Sequence, residues 1–136
     1  MKRIEFIPPS GEVIKDPTFP LIKNLILNKG KDFWESGSGD ACISITDDEG
    51  YMLSEIILMV REYGVFIQYG LAEDGSQYNL ITSNNTQVKT TINLSGEPWE
   101  LPISFFVEKD IAIDAVSIYL NNSDQEMLRK FKWKLL

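Results

Sequence analysis

The chain predicts an α+β fold: a single antiparallel β-sheet, a meander of five to seven strands, with two helices packed on one face. Three observations carry this expectation. From Asp47 onward, turn residues recur about every 8–12 positions. Between these turns, apolar residues alternate with polar ones, the period of a half-buried strand. One stretch near each end of the chain instead spaces its apolar residues for a helix.

Each element follows in order. Arg3 to Ile7 alternates well enough for a first strand, and Pro8-Pro9-Ser10-Gly11 breaks it. Phe19, Ile22, Leu25 and Ile26 mark a helix over Thr18 to Asn28. A turn-rich stretch, Phe33 to Asp40, leads into a strand over Ala41 to Thr46. Asp47-Asp48-Glu49-Gly50 is a hairpin turn. Tyr51 to Arg61 follows, and its unbroken apolar run from Ile56 to Val60 predicts a central strand covered on both faces. Glu62-Tyr63-Gly64 turns the chain into the alternating strand Val65 to Tyr69. Glu73-Asp74-Gly75-Ser76 is a third turn, followed by strands over Tyr78 to Ser83 and Thr86 to Leu94. Val107 to Asn122 reads as a helix with acidic residues at its start, although Ile111 to Val116 also suits a strand. Lys130 to Lys134 is expected to be the last strand, with Phe131 and Trp133 on one face.

A chain of 136 residues with 43% apolar and 24% charged residues is expected to fold as one domain over residues 1–136. The N-terminal run MKRIEFIPPSGEV lacks the apolar core of a secretory signal, and no stretch is long enough for a membrane-spanning helix. The expected compartment is the cytoplasm. Cys42 is the only cysteine, and between Ala41 and Ile43 it reads as an inert buried residue.

Histidine is absent from the sequence. That excludes His-based acid–base catalysis, His-containing triads and nearly all zinc sites. Ser36-Gly37-Ser38-Gly39 lacks the Gly-Lys-Ser/Thr of a phosphate loop and reads as a turn. Asp47 to Gly50 lacks the spacing of a calcium loop. Glu55 interrupts an apolar strand, but no second carboxylate is tied to it by the sequence. No catalytic residue, metal ligand or cofactor site is therefore expected.

The net charge is −7, and it is unevenly distributed. Arg129, Lys130, Lys132 and Lys134 follow the last acidic residue, so residues 1–128 hold nine basic against 20 acidic residues, or −11. Such a surface disfavours nucleic acid and anionic membrane and attracts a basic protein. The expected contact surface comprises Asp47, Asp48, Glu49, Glu73 and Asp74 in two turns, with Trp34 and Tyr63 as aromatic anchors. Successive hairpins alternate ends, so the two acidic turns should share an end of the sheet. Oligomeric state is left open.

Four segments carry a likeness to a known family: Trp34-Glu35-Ser36-Gly37-Ser38-Gly39-Asp40-Ala41, Gly64-Val65-Phe66-Ile67-Gln68-Tyr69, Ala112…Ala115…Tyr119, and Lys132-Trp133-Lys134. Across roughly residues 33–134 the chain resembles an immunity-protein family of bacterial polymorphic toxin systems. The resemblance implies an inhibitor that binds a cognate toxin domain and silences it inside the producing cell. It transfers no contact residue. Two other classes remain beside it: a structural or adaptor module that self-associates or docks in a larger assembly, and a small carboxylate-dependent enzyme.

Overall fold

Apolar residues on alternate positions of the central strands build the core, and the helices close over it. The computed structural model describes residues 2–121 and 124–136. Strands β1 (Arg3–Ile7) and β2 (Ile14–Lys15) are followed by helices α1 (Phe19–Asn28) and α2 (Lys31–Trp34), and then by strands β3 (Ala41–Thr46), β4 (Met52–Arg61), β5 (Gly64–Leu71) and β6 (Gln77–Leu80). Next come β7 (Lys89–Leu94), β8 (Glu97–Pro102), a 3₁₀ turn over Ile103–Phe105, and β9 (Phe106–Val107). Helices α3 (Lys109–Leu120) and α4 (Asp124–Lys130) precede β10 (Trp133–Leu135).

The main sheet has eight strands in the order β10-β6-β5-β4-β3-β1-β2, with β9 paired to the start of β5. Its pairings are antiparallel. The α+β meander of the sequence reading is therefore present, with one more strand than its upper bound and four α-helices among the described residues instead of two.

One face of the sheet carries Phe6, Ile43, Ile56, Leu58, Val65, Ile67, Tyr69 and Leu80. Against it pack Ile22, Leu25 and Ile26 of α1, Trp34 of α2, Ala112, Ala115, Val116 and Tyr119 of α3, and Met127 of α4. These side chains form one cluster, so the helices cover a single face, as the alternation requires. The Thr18 side chain accepts from the Leu21 N–H and caps α1, with Pro20 in its first turn.

Three departures from the sequence reading have local causes. First, Thr86 to Leu94 does not extend the meander. Lys89–Leu94 pairs with Glu97–Pro102 in a separate two-stranded ribbon. Ser95 and Gly96 turn the ribbon at φ 53° and 83°, as a tight two-residue hairpin demands. Strand β8 tolerates Pro98 and Pro102 because it is paired on one side only. The ribbon lays Ile92 against Met59, Phe66, Phe105 and Phe106 on the face away from the helices. This explains the apolar run of β4: half of that strand is covered on both sides. Second, Lys130 ends a helix and does not begin a strand. Asp124 and Glu126 in the first turn of α4, with Arg129 and Lys130 in its last, complement the helix dipole. The Trp133 indole donates to the Met127 carbonyl at 2.7 Å and joins α4 to β10. Third, Lys31–Trp34 is a short helix where a turn was expected, although the chain still turns at Ser36 to Gly39.

Gly37 (φ 52°) shows why that turn needs glycine: a Cβ there would stand 2.0 Å from the Pro9 carbonyl oxygen. Asn122, the end of the expected helix over Val107 to Asn122, lies outside the described residues.

Candidate protein-binding surface

The β3–β4 and β5–β6 turns flank the start of β4, because β4 is hydrogen-bonded to both β3 and β5. The Ala72 N–H donates to the Leu53 carbonyl at 3.0 Å, tying the second turn directly to β4. Asp47, Asp48 and Glu49 thus share one end of the sheet with Glu73 and Asp74.

The five carboxylates are not equivalent. Asp47 Oδ1 accepts from the Glu49 and Tyr51 N–H groups at 2.9 and 3.0 Å and shapes its turn. Asp74 Oδ1 accepts from the Ser76 N–H at 2.9 Å. Hydrogen bonds from Ser76, main chain first and then side chain, hold the Asp74 carboxyl below its usual range. Asp47 and Asp74 therefore build the turns through these hydrogen bonds. Glu49 and Glu73 are exposed at the tips.

Between the turns stand three apolar residues that the charge pattern did not reveal. Tyr51 is 68% exposed, Met52 43% and Leu53 36%. A β-bulge presents them. Ile45 pairs with Ser54 and Thr46 with Met52, leaving Leu53 as an extra residue on β4. Leu135 and Leu136, also exposed, belong to the same end through the Leu136 N–H bond to the Gln77 carbonyl. Tyr51-Met52-Leu53 directly after an acidic turn was the available signal in the sequence. The sequence reading takes these residues only as the start of the strand whose covered half is Ile56 to Val60, and assigns them no role.

The two aromatic anchors lie elsewhere. Trp34 is fully buried and donates its indole N–H to the Leu25 carbonyl at 3.0 Å. A ring held in the core this way reaches no partner, so Trp34 is corrected from anchor to core residue. Tyr63 is 44% exposed, but the β4–β5 turn sets it at the opposite end of the sheet.

Chemistry-bearing groups elsewhere are sparse. Cys42 is part-exposed on the face away from the helices, which corrects its reading as a core residue. Its thiol lies 3.4 Å from Glu55 Oε2. Burial first, then the Glu55 charge, push the thiol up to about 12, so it stays protonated near neutral pH and is a poor nucleophile. Glu55 is half-buried beside it, with Gly70 opposite on β5. Among the described residues no group of three or more His, Cys, Asp or Glu side chains is placed to hold a metal ion. No helix among them is long and apolar enough to cross a membrane. No protein-family model, curated protein or solved structure matches the chain.

Proposed function

We propose that the chain is a non-catalytic protein-binding domain that captures a basic partner, in the manner of a cytoplasmic immunity protein neutralising a cognate toxin domain. One juxtaposition supports the reading: two acidic turns bracket the exposed Tyr51, Met52 and Leu53 on one end of the sheet. An apolar centre with a charged rim is the anatomy of a specific protein interface. The centre would govern dissociation and the rim would steer encounter. Sequence features resembling an immunity family name the kind of partner.

The test first asks whether an adjacent gene encodes a basic toxin domain, and then uses that domain as the binding partner. Association rates are measured across a salt series for the wild type and for Glu49→Gln/Glu73→Gln. That variant leaves Asp47 and Asp74, and so the turns, intact. The reading expects slower association as salt rises, with a shallower slope in the variant. Absence of binding, or equal rates and slopes in both proteins, refutes it.

A further inference from the structure

The end of the sheet opposite the acidic turns carries a pocket of about 400 Å³. Its walls come from the end of α1, the start of α2, the β4–β5 turn, β7 and the start of α3. Lys29, Lys31, Arg61 and Lys109 line it, with Glu35 and Glu62. Four of the nine basic residues in positions 1–128 thus meet at one concavity of an otherwise acidic chain. Four cations against two carboxylates leave a local charge of +2.

Arg61 makes this more than a coincidence of lysines. It is 8% exposed, and its four hydrogen bonds all go to main-chain carbonyls. Nη2 donates to Gly39 at 2.6 Å and to Asn93 at 3.0 Å, and Nη1 donates to Val60 at 3.0 Å. Its Nε has no hydrogen-bond partner among the described residues. Burial lowers the Arg61 pKa and outweighs the Glu35 and Asp40 carboxylates, which favour its charge, so a further anion in the pocket would stabilise the cation.

We propose that this pocket binds a small phosphate-bearing anion, with Arg61 at its base and Lys29, Lys31 and Lys109 around its mouth. A phosphate monoester is a dianion near neutral pH and balances the local charge of +2. Lysine ammonium groups bind phosphate as point charges and need no fixed fork geometry. A cavity of this size holds a small molecule. Arg61 Nε would donate to the ligand after a small shift of the side chain. The proposal is independent of the basic-partner reading, which concerns the other end of the sheet.

The experiment is an amide-resolved NMR titration of the full chain with pyrophosphate, inorganic phosphate and succinate, at ionic strength of about 0.15 M. Pyrophosphate and phosphate are expected to shift Lys31, Glu62 and Thr91 saturably and to leave Glu49 and Glu73 in place. Succinate, a dianion without phosphate, is expected not to saturate. Lys31→Gln/Lys109→Gln, which leaves the hydrogen bonds of Arg61 untouched, should weaken pyrophosphate binding about tenfold or more. Three results would each overturn the proposal: shifts linear in ligand and spread over the surface, succinate saturating as tightly as pyrophosphate, or unchanged affinity in the double variant.

Discussion

The Tyr119 hydroxyl of α3 lies 3.0 Å from the Ser54 hydroxyl of β4 and donates to the Ile43 carbonyl of β3 at 3.3 Å. A helix is thereby joined to two adjacent strands beneath the candidate surface. Burial foremost raises the Tyr119 pKa, and the hydroxyl stays protonated. Tyr119→Phe leaves the buried Ser54 hydroxyl without this partner and should cost about 1–2 kcal/mol in urea unfolding. Adding Ser54→Ala should recover part of that loss, because no orphaned hydroxyl then remains.

Arg61 holds the β7–β8 ribbon against the sheet through the Asn93 carbonyl. Arg61→Met should destabilise the protein by about 3 kcal/mol or more, since several charged hydrogen bonds are lost together. Hydrogen exchange should lose more protection over Lys89 to Pro102 than over β3 and β4. A uniform loss across the sheet would refute the tethering role.

Cys42 supplies a pH dependence of definite sign. Its pKa is about 12 in the folded chain, above the ordinary thiol value that the unfolded chain would show. The contribution to stability is complete below the unfolded pKa. It is lost as pH rises toward 12, because the unfolded chain then releases a proton that the folded chain retains. Native labelling by a thiol reagent at pH 8 should therefore be slow, with a thiolate fraction of roughly one in 10⁴. Glu55→Gln removes the neighbouring charge and should accelerate labelling.

Gly64 stands at φ 128°, and a Cβ there would come within 2.5 Å of the Val107 carbonyl oxygen. Gly64→Ala should destabilise by about 2 kcal/mol or more, through backbone strain and displacement of β9. Thermal unfolding measures the loss. Gly50→Ala, with φ 89° but open space around it, should cost less.

Met52→Glu should leave stability within about 0.5 kcal/mol, because Met52 is largely exposed. On the basic-partner reading it should raise the dissociation rate from the toxin domain far more than it changes the association rate. Stopped-flow mixing followed by chase separates the two.

Much of the secondary structure was legible because it rests on local rules. Alternation places Ala41, Ile43 and Ile45 on one face of β3, and helical spacing places Ile22, Leu25 and Ile26 in the core from α1. The order of hairpins sufficed to bring the two acidic turns to one end. The absence of histidine constrained the chemistry before any fold was known.

Tertiary structure decided what depends on distant partners. Trp34 beside glycines and Trp99 between prolines look alike in sequence, yet one is fully buried and the other is 53% exposed on β8. Burial of a large ring is set by which elements close over it, and α1 covers Trp34 through a carbonyl nine residues away. The bulge at Leu53 arises from the pairing of β4 with β3, and no residue type announces it. Lys29, Lys31, Arg61 and Lys109 converge only because α1 and β4 end, and α2 and α3 begin, at the same edge of the molecule. Local propensity determines which segments are strands or helices. The summed burial of the whole core determines which surfaces those segments bring together, and that sum extends over contacts that no window of sequence contains.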